Sequence, residues 1–179
     1  MDKQLNKILI LEDTNSDIEL IKRQLRKNFD DILFAVAHDR KEFDDKISWF
    51  DPDLILADYR LPDMNGLEAL LHVREHMPGT PFIFLTGALS DEEKVAEAVL
   101  KGASGYLLKD NLTDLPAVIN KVWQNYLLDE TRRSEDQARL RSQQLAIQKG
   151  IRLLADGNAE HHSEVIGLLE EVLDSLLKE

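Results

Sequence analysis

Leu54-Ile55-Leu56-Ala57-Asp58-Tyr59-Arg60-Leu61-Pro62-Asp63-Met64-Asn65-Gly66 is an apolar run that ends in one aspartate and breaks at once into turn-forming residues. The run reads as a strand covered on both faces, and Pro62, Asn65 and Gly66 as the loop that follows it. Such a strand delivers Asp58 to the edge of a sheet. A carboxylate there serves as a ligand, a nucleophile or a helix cap. What else the chain brings to the same edge decides between them.

Four other stretches repeat the pattern. Lys7-Ile8-Leu9-Ile10-Leu11 is apolar and ends at Glu12-Asp13. Residues 32–36 read as a second strand, and residues 53–57 as the third, ending at Asp58. Residues 81–85 form the fourth, ending at Thr86-Gly87, and Gly105-Tyr106-Leu107-Leu108 the fifth, ending at Lys109. Helical spacing fills the gaps. Asn15-Ser16-Asp17 offers capping chemistry ahead of Ile18, Ile21 and Leu25. Asp39 caps a helix that buries Phe43, Ile47 and Phe50. Met64-Asn65-Gly66 opens a helix with Leu67, Leu70, Leu71 and Val73 inward. Ser90-Asp91-Glu92-Glu93 starts another, with Val95, Ala98 and Val99 inward and a Gly102 C-cap. A last helix runs from Leu112 past Val122, with Pro116 near its start. Five repeats of strand then helix predict a parallel sheet with right-handed crossovers and helices on both faces. In such sheets function sits at the carboxyl ends of the strands, here Glu12, Asp13, Asp58, Thr86 and Lys109.

Composition narrows the setting. The chain has 179 residues, enough for one domain and an appendage, and 43% of them are hydrophobic, enough for a core. The absence of cysteine removes disulfides and thiolate metal sites. No apolar run approaches a membrane span, and Met1-Asp2-Lys3-Gln4-Leu5-Asn6-Lys7 has no signal-peptide core, so a cytoplasmic protein without a membrane is expected. A net charge of -12 disfavours a broad nucleic-acid-binding face.

Carboxylates converging on one sheet edge repel one another. A divalent cation and a fixed ammonium would hold them as anions. Mg2+ accepts carboxylate oxygens while keeping several waters, and Lys109 supplies the ammonium. An aspartate beside a cation, a lysine and the Thr86 hydroxyl is suited to attack phosphorus, giving an acyl phosphate. Asp58 alone would read as a cap, and Glu12 and Asp13 could simply cap the first helix. The nucleophile and metal readings win jointly.

LILED at 9–13, LILADYRLPDMNG at 54–66, FLTG at 84–87 and GYLLKD at 105–110 resemble the receiver domain of two-component response regulators, over roughly residues 5–124. The resemblance implies a doubly wound, flavodoxin-like α/β fold with strand order 2-1-3-4-5 and a C-terminal helical extension beyond it. It implies that Asp58 is the phosphoacceptor, served by a sensor histidine kinase or a histidine phosphotransfer protein, and that the chain is a signalling protein rather than an enzyme. Asp13, Asp58 and the Arg60 backbone carbonyl would hold Mg2+, with Glu12 direct or through water. Lys109 and Thr86 would contact the phosphoryl group, and Thr86 with Tyr106 would form the switch. Asp110 stands where the family usually has proline. A cis bond before a non-proline residue costs about 3 kcal/mol, so a trans bond is expected at Lys109-Asp110. A hydrolase of the aspartyl-phosphate kind would need a second aspartate two residues after Asp58, and position 60 is Arg. A non-switching scaffold on the same fold is the alternative function, as is the N-terminal receiver of a larger sensory or kinase protein.

These expectations divide the chain into a receiver, 1–124, and an extension, 125–179. Asp129 to Gln144 is polar, without Gly or Pro, and its Glu and Arg residues suit a helix that continues unbroken. Leu140, Ile147, Ile151 and Leu154 form a sparse stripe, a stop follows near 156–160, and a final helix from His162 is too apolar to stay solvated. The hairpin lacks the apolar area to cover that helix, which predicts a homodimer through residues 125–179. The extension holds no recognisable DNA-reading element, so no direct DNA binding is expected. His161 and His162 read as metal-silent, exposed side chains.

Overall fold

The computed structural model describes residues 3–87, 99–156 and 161–176. In order these form β1 (Lys7–Leu11), α1 (Asn15–Arg26), β2 (Leu33–Ala37), α2 (Arg40–Phe50), β3 (Leu54–Asp58), α3 (Gly66–His76), β4 (Phe82–Thr86), β5 (Gly105–Leu108), a 3-10 segment (Lys109–Asp114), α4 (Leu115–Ala155) and α5 (His162–Leu176). The chain packs as two units, residues 1–127 and 128–179.

The five strands make one parallel sheet in the order β2-β1-β3-β4-β5. This is the expected doubly wound, flavodoxin-like arrangement. Strand alternation sorts the side chains onto two faces. Leu9, Leu11, Ile55, Ala57, Phe82 and Phe84 pack under α2 and α3. Ile8, Ile10, Leu54, Leu56, Ile83 and Leu85 pack under α1 and the start of α4. Central strands buried on both sides explain why their sequences are continuously apolar rather than alternating.

Local chemistry sets the helix ends. Asp39 and Asn65 cap α2 and α3, accepting from the N–H of Glu42 (2.8 Å) and Glu68 (2.9 Å). Gly102 has φ +96°, the left-handed turn expected of a C-cap. Its carbonyl is held by Arg74 Nε (3.0 Å) and Nη2 (2.7 Å), and Arg74 Nη1 reaches the Thr80 carbonyl (2.8 Å). Burial lowers the Arg74 pKa, and these carbonyls occupy its donors. The Lys109–Asp110 bond is trans, as expected, since no described peptide is cis.

Several expectations are corrected. β2, β3 and β4 each begin and end one residue later than read, because register with the neighbour rather than hydrophobicity decides the ends. The N-cap of α1 is Thr14, without a side-chain cap bond, not the Asn15-Ser16-Asp17 cluster. Ala69, not Leu71, completes the buried face of α3; Leu71 is exposed. Val99 is exposed too, while Ser90, Val95 and Ala98 lie outside the described residues. The last helix begins at Leu115 after the 3-10 segment, with Pro116 in its first turn. His161 is half-buried, whereas His162 is exposed. No helix among the described residues is long and apolar enough to cross a membrane.

Candidate functional site

Each strand end delivers one piece of a pocket. β1 runs out at Glu12, which is fully buried because its N–H is drawn onto the β2 end, to the Ala37 carbonyl at 2.9 Å. Glu12 Oε1 accepts from the Thr14 N–H at 3.1 Å. Asp13, beside it, is exposed. β3 ends at Asp58, whose Oδ1 accepts from the Arg60 N–H at 3.1 Å. The turn then closes back, with the Gly66 N–H on the Tyr59 carbonyl at 2.9 Å. Gly66 is required by close approach: a Cβ there would lie 2.6 Å from the Asp58 carbonyl oxygen and 2.7 Å from the Phe84 ring.

Lys109, the first residue after β5, is the hub. Its Nζ lies 2.7 Å from Asp58 Oδ2, 2.6 Å from Glu12 Oε2 and 2.8 Å from Asp17 Oδ2. Burial alone would lower the Lys109 pKa. The hydrogen bonds that Lys109 donates to Asp17 and Asp58, with the ion contact to Glu12, outweigh that and hold the ammonium above its ordinary range. Glu12 is pushed up, first by burial and further by the Asp58 charge, against the opposing pull of Lys109 and the Thr14 N–H. Asp17 belongs to the stretch expected to supply helix-capping chemistry. Its side chain instead turns from the first turn of α1 to Lys109, and nothing in its spacing separates those uses.

The pocket suits a hard dication on three counts. Carboxylate oxygens of Glu12, Asp13 and Asp58 lie within 4.8 Å of one another. Three carboxylates, those of Glu12, Asp17 and Asp58, share one ammonium, and Asp13 adds a fourth negative charge beside them. Glu12 Oε2 is buried without a hydrogen-bond donor, in ion contact with Lys109. Oxygen donors with excess negative charge are what Mg2+ takes.

The remaining expected residues sit around this core. Thr86 ends β4, half-buried and level with Leu108 on β5. Tyr106, two residues before Leu108, is 49% exposed. Arg60 is exposed and bridges to Asn65 across the turn. Glu12, Asp58 and Lys109 are therefore in contact, Asp13 joins the carboxylate cluster, and the Tyr106 side chain faces solvent.

Residues 8–120 match the profile described as response regulator receiver domain. Among curated relatives, the transcriptional regulatory protein LnrK of Bacillus subtilis is 37% identical over 91 residues, 51% of this chain and 40% of LnrK. The transcriptional regulatory protein YdfI of the same organism is 33% identical over 110 residues, 62% of this chain and 51% of YdfI. The chain thus spans about half the length of the relatives it matches. Among solved structures, a CheY-like response regulator receiver domain protein from Methanospirillum hungatei JF-1 superposes with a TM-score of 0.60 at 28% identity, covering 72% of this chain and 99% of that one.

Proposed function

Because the chain belongs to the response regulator receiver domain family of two-component systems, we propose that Asp58 accepts a phosphoryl group from a sensor histidine kinase or histidine phosphotransfer protein. The contact of Lys109 Nζ with Asp58 Oδ2 at 2.7 Å carries the reading, since it sets a permanent ammonium beside the attacking carboxylate. Asp58 attacks phosphorus, an O–P bond forms and the P–N bond to the donor histidine breaks. The electron pair stays on the imidazole nitrogen, which takes a proton from solvent. Lys109 then moves its contact from the carboxylate to a phosphoryl oxygen, and its raised pKa keeps it charged throughout the neutral range.

Glu12, Asp13, Asp58 and the Arg60 carbonyl are the residues that would hold Mg2+. When bound, the ion offsets the repulsion between the carboxylates and an incoming phosphoryl group. Thr86 donates its hydroxyl to the phosphoryl oxygen. Tyr106, exposed in the unmodified chain, turns inward as Thr86 moves. Residues 1–124 act as the receiver and residues 125–179 as the output, which self-associates as a homodimer or relays to a partner. The relatives named above are transcriptional regulators; the net charge of -12 favours an output here without direct DNA contact, in a cytoplasmic protein.

Intact mass spectrometry after incubation with acetyl phosphate and Mg2+ tests the assignment. Wild type should gain one phosphoryl group, and Asp58→Asn none. An unmodified wild type, or a modified Asp58→Asn, overturns it.

A further inference from the structure

In residues 128–179 the two helices run antiparallel. Lys149 Nζ lies 2.7 Å from Glu164 Oε1, Gly150 faces Val165, and Arg139, Gln143 and Ala146 lie across a cavity of about 150 Å³ from Glu171 and Val172. The packed side of α4 is buried Gly150 with half-buried Gln143, Ala146 and Leu153; that of α5 is buried Val165 with half-buried Leu168 and Val172.

Each helix carries a second apolar stripe that this pairing leaves open. On α4 it is Leu140, Ile147, Ile151 and Leu154, each 42–62% exposed. On α5 it is Ile166, Leu169, Leu173 and Leu176, each 51–56% exposed. The α5 stripe has alternating three- and four-residue steps, and Gln144 fills the gap in the α4 stripe, so both have coiled-coil spacing. At 3.6 residues per turn, each stripe lies about a quarter to a third of a turn beyond the packed side, in the same residue sense. In antiparallel helices, equal rotations of that sense bring both stripes to the same side of the hairpin. That side is one half of a four-helix bundle.

Charge identifies what covers it. Residues 137–155 carry Arg139, Arg141, Lys149 and Arg152 and no acid; residues 162–176 carry Glu164, Glu170, Glu171 and Asp174 and no Lys or Arg. A basic helix beside an acidic one is complementary to a second copy of itself only if unlike helices meet. We propose that residues 128–176 pair with the same segment of a second copy, each α4 packing on the α5 of the other around a two-fold along the bundle. The alternative two-fold, across the bundle, lays α4 on α4 and α5 on α5 and sets like charges together. The proposal rests on the reading that residues 125–179 self-associate, and adds the arrangement. The level pairs Lys149–Glu164 and Gly150–Val165 place Ile147 opposite the partner subunit's Ile166, and Leu140 opposite the partner subunit's Leu173.

The chain has no cysteine, so engineered ones report cleanly. Full-length Ile147→Cys and Ile166→Cys, mixed and oxidised, should form a disulfide-linked dimer, while neither alone should. Sedimentation should give twice 20.5 kDa, and Ile151→Asp with Leu173→Asp should reduce it to one copy at unchanged far-ultraviolet circular dichroism. Cross-linking by Ile147→Cys alone would overturn the arrangement and leave self-association standing. A wild-type mass of one copy would overturn both. A dimer indifferent to the double aspartate variant would place the interface elsewhere and also overturn the proposal.

Discussion

In the pocket at the sheet edge, a buried glutamate and two aspartates converge on one lysine of the same unit at 2.6–2.8 Å. In residues 137–155 and 162–176 the opposite holds: basic and acidic residues are sorted onto different helices, and apolar side chains face outward. The first region satisfies its groups within one chain, apart from one oxygen of Glu12. The second leaves a face unsatisfied along its whole length. The contrast separates a unit whose fold gathers its charges around one lysine from a segment whose apolar stripes are left open.

Leucine truncation breaks this comparison most strongly. Leu56 is fully buried in the sheet, and Leu56→Ala should cost about 2–5 kcal/mol in urea unfolding. Leu169 on α5 is 53% exposed. Leu169→Ala should shift the unfolding of dilute protein by less than about 0.5 kcal/mol, while raising the dimer dissociation constant measured by sedimentation. Equal costs at both positions would erase the distinction between the regions.

Two glycines sharpen it. Gly66→Ala drives a methyl into the Asp58 carbonyl and the Phe84 ring, neither of which can step aside without moving β3 or β4. It should cost about 1–3 kcal/mol and slow labelling by acetyl phosphate, because the backbone that carries Asp58 must shift. Gly150, buried within α4, has room: a Cβ there would meet Val165 Cγ1 at 4.0 Å, an ordinary contact. Gly150→Ala should therefore stabilise the hairpin by up to about 1 kcal/mol through helix propensity, read as a higher thermal midpoint.

The five strands and most core positions were legible because a doubly wound sheet writes its buried strands as unbroken apolar runs, and because Asp58 and Lys109 stand at the ends of two of them; the sheet order came only with the family resemblance, and the limits of β2, β3 and β4 lay one residue further on. Asp17 was not legible. A carboxylate in the first turn of a helix has the same sequence signature whether it caps the turn or reaches a lysine 92 residues away. Leu71 misled for a related reason: helical periodicity fixes the angle of a stripe only to within one position, and the smaller Ala69 fits where α3 sits closest to the sheet. In the extension the stripe on α4 and the apolar character of α5 could be read from the sequence, but the α5 stripe and its side shared with α4 could not, since that side depends on the antiparallel pairing of the two helices.

The smallest expected effect concerns charge on the surface of the receiver. Glu42 is held at a pKa of about 2, chiefly by the hydrogen bond from Lys46 and then by His38. Lys46 also donates to the Val36 carbonyl, tying α2 to the edge strand β2. A depressed carboxylate binds fewer protons folded than unfolded. Its contribution is therefore complete above the ordinary value of 4.5 and is lost as pH falls from there toward 2. Glu42 is 39% exposed, so solvent screening keeps that contribution below about 1 kcal/mol. Glu42→Gln should lower the urea midpoint slightly at pH 7, and the gap from wild type should narrow as the pH falls below 4.5 toward 2. A gap that widens on acidification would mean that the contact with His38 rather than that with Lys46 governs this corner of α2.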